Sequence, residues 1–498
     1  MVSSIGCLPA HLIVDYICMP KRPKQGPVPR KSRTMAKKPP IKSTLKCEHS
    51  NLIFSSSSHA ESIGYKQPAL EQRIAATTPT GTLKPKIQDT SAKRDAESSA
   101  TFPAPLVLPR DDLALDPTYP AQSLRSWIRE KDRNKITPDR RTVYLAAPPG
   151  LHNGTGFVGE WAHPSHLGQR AKKIQQPDAR HVLDYLKAFY HGLPVKMLPS
   201  EVFTFTLKHD DILSTEKQPP GLDRRIIGLS TQTPSGRKGI RTRPTPDGLF
   251  SHQLNLDDLL DAAIWALPDD AYALVLLVEQ DLYEDEEDEF VCGRAYGGSR
   301  VAVVSTARYH PSLDEVQEVE REHAWPASCC SVYVQACCVD GETGAGRAKK
   351  KGTARATPSV LAHEDASTSP KPENTSPLYA ALSAHTSLPS LSSSQSSTCL
   401  SGLWLSRVCR TVSHELGHCF GMDHCIYYAC SMQGSASIIE DARQPPYLCP
   451  VDSAKLLRAT GGDAKERYEA ILMFCEKYES FHLFAAYGAW VRARLKQL

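Results

Sequence analysis

The residues best equipped for chemistry lie between His414 and Met432, where the chain reads HELGHCFGMDHCIYYACSM. Residues four apart on a helix share a face, so His414 and His418 can aim two imidazoles at a single zinc ion with Glu415 beside them. Gly421 then supplies a stop. Glycine enters the left-handed backbone region without penalty, so a helix ending there can turn sharply and return His424 as a third ligand. Three protein ligands leave one coordination position open for water or a carbonyl, which separates a catalytic zinc from a structural one. Zinc lowers the pKa of its bound water to about 7. Glu415 can take that proton as general base and pass it to a departing group while the polarised carbonyl is attacked. A bare histidine pair at this spacing also occurs on surface helices, solvated and idle; the glycine and third histidine at fixed offsets argue against that here.

HExxHxxGxxH is the metzincin form. With Cys425, Cys430, Met432 and Cys449 following it, the stretch from Thr411 to Leu457 resembles the archaemetzincin family; the resemblance weakens upstream and covers none of the first hundred residues. It implies a zinc metalloprotease that hydrolyses peptide bonds in peptide or protein substrates, short peptides included, so aminopeptidase-like action is as admissible as internal cleavage. It also implies that Met432, eight residues beyond His424, forms an apolar floor beneath the metal without binding it, although a methionine there could equally be plain core. Archaemetzincins hold a second, structural zinc on four cysteines. Cys425, Cys430 and Cys449 match that set, but CPVD places Asp452 where the fourth thiolate would stand. A three-sulfur, one-oxygen site binds less tightly than four thiolates, and the bland alternative is three buried, reduced cysteines. Two other readings stay open: a zinc-binding protein that grips peptides or partners with little or no turnover, and a purely structural zinc module.

The elements that must position these residues follow from periodicity. A helix over Ser406 to Phe420 would bury Val408, Val412, Leu416 and Cys419 on one stripe and turn His414 and His418 to a cleft. Cys409 and Cys419 read as core. Asp178 to His191 is the clearest helix of the front half, capped by Asp178 and ended by Gly192 and Pro194; Leu256 to Leu267 is a second. Ala271 to Val278 (AYALVLLV) is nearly continuous apolar sequence, as expected of a central strand buried on both faces. Strands are also expected at Arg141 to Ala146, Pro194 to Met197, Val202 to Leu207, Arg225 to Leu229 and Gly293 to Thr306. Pro234 to Asp247 reads as a basic loop, and the acids Glu284 to Glu289 as a solvated one. Arg294 to Gly298 resembles the edge strand that pairs with extended substrate in metzincin-like proteases, with an ordinary hairpin the alternative. His152, His163 and His166 share no ligand spacing and belong on the surface. Helices at Ser123 to Lys131, Ala454 to Arg458, Ala464 to Tyr478 and Ala485 to Leu498 complete the reading.

The expected fold is therefore α/β (α+β): a metzincin-like domain with a mixed twisted sheet, two backing helices, the active-site helix and a small helical lower lobe. Its expected divisions are a disordered basic, Ser- and Pro-rich tail over 1–105, an upper lobe over 106–339, a low-complexity insertion over 340–402, and the active-site helix with the lower lobe over 403–498. The 38 prolines and long serine runs support setting the tail and insertion aside. A formal net charge of +4 is small for 498 residues and gives no reason to invoke nucleic acid. No apolar run is long enough to span a bilayer, so no membrane is expected. The fifteen cysteines cluster near the histidines rather than forming a disulfide framework, and residues 1–20 lack a signal peptide's charged start. An intracellular, cytoplasmic monomer is the expectation. The basic run Lys21 to Lys38 would admit a nuclear address, and more weakly a mitochondrial one, though a solvated tail is its commoner meaning.

Overall fold

The apolar run Ala271–Val278 organises the domain. In the computed structural model, which describes residues 47, 49, 51–82, 98–166, 168, 171–207, 225–231, 236–344, 376–391 and 396–498, all eight of its residues are buried. The strands in chain order are β1 (Thr142–Ala146), β2 (Gly150–Leu151), β3 (Val195–Met197), β4 (Phe203–Thr206), β5 (Ile226–Thr231), β6 (Arg237–Pro244), β7 (His252–Asn255), β8 (Ala271–Val278), β9 (Asp281–Tyr283), β10 (Gly293–Tyr296) and β11 (Val301–Ser305). β8 is the middle strand of a five-stranded sheet ordered β10-β11-β8-β1-β3. It runs parallel to both neighbours, while β10 is antiparallel to β11 and forms the edge.

Side chains alternate across a strand, so β8 feeds two cores. Ala273, Val275 and Leu277 join the core that also holds Val408, Val412 and Leu416 of the active-site helix. Leu274, Leu276 and Val278 join Leu256, Leu259 and Leu260 on the other side. The two expected backing helices, Ala179–Phe189 and Leu256–Trp265, thus lie on opposite faces of the sheet. Asp178 caps the first through a 2.8 Å bond from Arg180 N, and Asn255 caps the second.

The active-site helix spans Ser397–Cys419, longer at its start than the apolar stripe suggested, and Ser396 caps it. It is buried all round from Trp404 onward, with its cations paired internally: Arg407 with Asp314 at 2.7 and 2.9 Å, Arg410 with Asp441 at 2.5 Å. Buried charges persist only when partnered in this way. Beyond Gly421 the helices Ile438–Arg443, Pro450–Thr460, Ala464–Lys477 and His482–Leu495 form the expected helical portion, but Tyr447, Phe474 and Trp490 share one continuous core with the sheet rather than a separate lobe.

Several expectations need correction. Within 1–105, residues 51–82 and 98–105 are ordered: helices Ser58–Ser62 and Leu70–Ala76 pack on the domain, and Tyr65, Ile74 and Phe102 are buried. Scattered apolar residues dock singly there, so no period advertises them. Within 340–402, helix Pro377–Ser387 buries Leu378 and Ala381 in the main core. Lys21 to Lys38 and most of the expected insertion lie outside the described residues. The basic stretch Pro234 to Asp247 contains β6, which pairs with β5 and inserts Ile240 into the second core of a six-stranded sheet ordered β2-β4-β5-β6-β7-β9. Gly293 to Thr306 is two strands, because Gly297–Ser299 and the left-handed Arg300 turn the chain between β10 and β11. The acids after Tyr283 are only partly solvated: Glu284 pairs with buried Arg294, and Asp288 accepts from Asp285 N at 2.8 Å.

Candidate metal centre

His414 and His418 sit one turn apart on the buried helix, with their Nε2 atoms 3.0 Å apart. Each ring is held from behind: His414 Nδ1 donates to Ser431 O and His418 Nδ1 to Met422 O, both at 2.7 Å. A carbonyl only accepts, so the proton of each neutral ring is on Nδ1 and both Nε2 atoms present lone pairs. Two lone pairs facing each other cannot hydrogen-bond. Burial holds all three imidazoles below their ordinary pKa, His418 well below and His424 at about 3, and so keeps them neutral.

Gly421 has φ +74° and ends the helix as expected. The chain then brings the His424 ring centroid to 5.4 Å from that of His414 and 5.1 Å from that of His418. His424 Nε2 is buried without a hydrogen-bond partner. One nitrogen from each ring lies within 4.8 Å of the others. These three bare nitrogens fit a divalent cation: each is neutral, and two have their tautomer set by the backbone. Asp112 Oδ2 lies 3.8 Å from His424 Nδ1, a neighbour that spacing could not reveal.

Glu415 is buried beside the rings, and its Oε1 has no partner. Burial pushes its carboxyl up to about 8, against the pull of the Arg294 guanidinium. β10 crosses directly over this part of the helix. A Cβ at Gly293 would make an ordinary 3.4 Å contact with Glu415 Cγ, whereas one at Gly297, in the turn after β10, would lie 2.7 Å from His418 O, so that turn comes this close to the helix only because Gly297 is glycine. Met432, fully buried, packs from the other side; a Cβ at Gly417 would sit 2.4 Å from its Sδ.

The second expected set also converges. Cys425 and Cys449 sulfurs are 3.5 Å apart, and Asp452 Oδ2 is 3.3 Å from both Cys430 and Cys449. All four residues are buried. The sulfurs accept backbone N–H bonds, Cys430 from Cys449 N at 3.2 Å and Cys449 from Asp452 N at 3.5 Å, yet burial pushes both thiols well above their ordinary pKa. Cys425, against its burial, is held well below by hydrogen bonds from the Cys430 and Cys449 thiols. Burial pushes the Asp452 carboxyl up to about 6, against the cation of Lys455, whose Nζ lies 2.8 Å from Oδ1. One oxygen faces the sulfurs and the other faces the lysine. Lys455 gave no sign of this role, because a lysine on a helix is ordinarily solvated. His152, His163 and His166 are exposed, as expected.

Residues 390–458 match peptidase family M54. Archaemetzincin-2 of Macaca fascicularis is 24% identical over 379 residues, covering 76% of this chain and 75% of the relative. Archaemetzincin-2 of Rattus norvegicus is 39% identical over 77 residues, covering 16% of this chain and 21% of that one. The chain is similar to archaemetzincins, and the M54 match falls on the stretch that carries the three histidines. It is a metallopeptidase. The matched stretch contains every residue of both converging sets, from His414 to Asp452, whereas Asp112, Gly293, Arg294 and Gly297 lie outside it. A solved archaemetzincin from Methanopyrus kandleri aligns over 66% of this chain and 99% of its own at 16% identity, with a TM-score of 0.27.

Proposed function

We propose that this protein hydrolyses peptide bonds, with His414, His418 and His424 holding a zinc ion through Nε2 and Glu415 acting as general base. The observation that carries the reading is the pair of lone pairs facing each other at 3.0 Å, with a third unpartnered nitrogen beside them. When bound, zinc supplies Lewis acidity, lowering the pKa of coordinated water to about 7 and polarising a carbonyl. A divalent cation at the adjacent rings would offset the burial that raises the Glu415 carboxyl and favour its carboxylate, which takes the proton of the attacking water on its free oxygen and delivers it to the leaving amine. Met432 and Gly417 set the floor that keeps the two helix histidines in place. β10, as the antiparallel edge of its sheet, offers main-chain groups to an extended peptide next to Glu415, which binds substrate without demanding a particular side chain. Short peptides cut in aminopeptidase fashion fit this scheme as well as internal sites do.

Cys425, Cys430, Cys449 and Asp452 are assigned to a second, structural zinc, with Lys455 offsetting part of the charge of three thiolates and a carboxylate. That site requires reduced thiols, which supports an intracellular protein; a monomer is retained as the working state.

The test is a peptide-library digest by the wild type and Glu415→Gln at matched zinc content. Loss of the base is expected to lower cleavage by about 10²–10⁴-fold. Equal, negligible cleavage by both proteins would favour a peptide-binding protein without turnover.

A further inference from the structure

A third cluster of metal-ligating side chains, which mixes cysteine and histidine, lies outside the family match. Cys47, His49, His323 and Cys330 each offer one ligand atom, all within 4.8 Å of one another. The sulfurs of Cys47 and Cys330, from residues 283 apart in the chain, are 3.2 Å apart. His323 Nδ1 lies 2.8 Å from Glu320 Oε1. A carboxylate accepts, so this nitrogen carries the proton and Nε2 is bare. That Nε2 is buried without a partner, as is His49 Nδ1. Tyr333 stacks on His323 at 4.3 Å with planes 8° apart, holding the ring in its orientation.

A disulfide between the cysteines would satisfy the sulfurs and leave two buried ring nitrogens unpaired. A cation satisfies all four atoms. Atoms each about 2.0–2.3 Å from one zinc lie less than about 4.6 Å apart, so small rotamer adjustments close the set. Two thiolates balance the charge of one divalent ion, and a carboxylate behind a ligating histidine is a usual outer partner of such sites.

We propose that Cys47, His49, His323 and Cys330 form a further, structural zinc site that pins the N-terminal segment to the domain. With four protein ligands it has no open position for substrate. The chain on either side agrees with a clamp. Leu52 bridges to Cys330, Ile53 N donates to Cys329 O at 2.7 Å, and Ser331 N donates to Asn51 O at 2.9 Å. The same segment then runs to the loop that follows His424, where the Tyr65 hydroxyl donates to Ile426 O at 2.7 Å and Gln67 Nε2 to Tyr427 O at 2.6 Å. The clamp therefore anchors a strap that braces the loop carrying Cys425 and Cys430.

The inference is independent of the catalytic assignment, because its test leaves His414, His418 and His424 intact. Zinc per chain is measured by elemental analysis on the full-length wild type and on Cys47→Ser/His49→Asn, both purified under reducing conditions. The double variant is expected to hold one zinc fewer and to be nicked faster by protease between the clamp and Tyr65. Equal zinc in the two proteins would overturn the proposal. A second measurement needs no variant: in the native wild type, alkylation of Cys47 is expected to be slow and to become fast on chelation. A rate unchanged by chelator, or a Cys47–Cys330 disulfide in a non-reducing peptide map, would overturn it equally.

Discussion

His414 Nε2 and His418 Nε2 face each other at 3.0 Å, and neither can donate to the other, because both Nδ1 protons are committed to backbone carbonyls. Such a contact is repulsive without a cation between the rings and favourable with one. His418→Ala is therefore expected to lose one zinc per chain and all measurable peptide cleavage while keeping the metal of the cysteine sites. Elemental analysis beside a peptide assay checks this; an unchanged zinc count would remove His418 from the ligand set.

Gly417→Ala tests the packing beneath the histidines. Alanine is favoured over glycine in a helix interior by about 1 kcal/mol, but its Cβ would lie 2.4 Å from Met432 Sδ. Overpacking a full core typically costs about 1–3 kcal/mol. The clash is expected to win, giving a net loss of stability in urea unfolding and weaker zinc retention at the histidine site. A variant as stable as the wild type would show that Met432 yields easily and fixes nothing.

Asp452→Ala removes both a proposed ligand and the partner of Lys455, which is 2% exposed. A buried charge left unpaired costs about 3–5 kcal/mol. The variant is expected to lose one zinc and to unfold at lower denaturant. Adding Lys455→Met should recover part of the stability and none of the metal. Recovery of neither, or a zinc count unaffected by Asp452→Ala, would count against the split role given to this carboxylate.

Acid stability should carry the mark of His310. Burial lowers its pKa to about 4, opposed chiefly by Asp314, and its Nδ1 accepts bonds from Ser312 N at 3.1 Å and the Ser312 hydroxyl. The unfolded chain, with this group near 6.5, binds the proton more readily than the folded one. Stability from this residue is thus intact above about pH 6.5 and falls as pH drops toward about 4. His310→Asn, which keeps an acceptor and cannot titrate, should flatten that limb in denaturation series at several pH values. An identical slope in both proteins would show that other groups dominate it.

Much of this was legible because it is local. The offsets joining His414, His418, Gly421 and His424 are properties of one helix and its stop, and β8 declares itself by eight apolar residues in a row. The unread parts are long-range. Ser431 O and Met422 O orient the rings through backbone atoms, which carry no residue identity. Asp112 reaches His424 from 312 positions upstream, and Cys47 meets Cys330 across 283. β6 escaped notice because only Ile240 gives it an apolar anchor in the second core, with basic residues around it. The strap over 51–76 escaped because its contacts are single side chains laid on a finished core rather than a periodic face.

The central claim is tested most directly by anomalous diffraction at the zinc edge from crystals of the full chain. The account predicts a peak about 2.0–2.1 Å from Nε2 of His414, His418 and His424 alike, with Glu415 beside it and outside bonding distance. An absent peak at that point, or one bound through fewer than those three nitrogens, would contradict it.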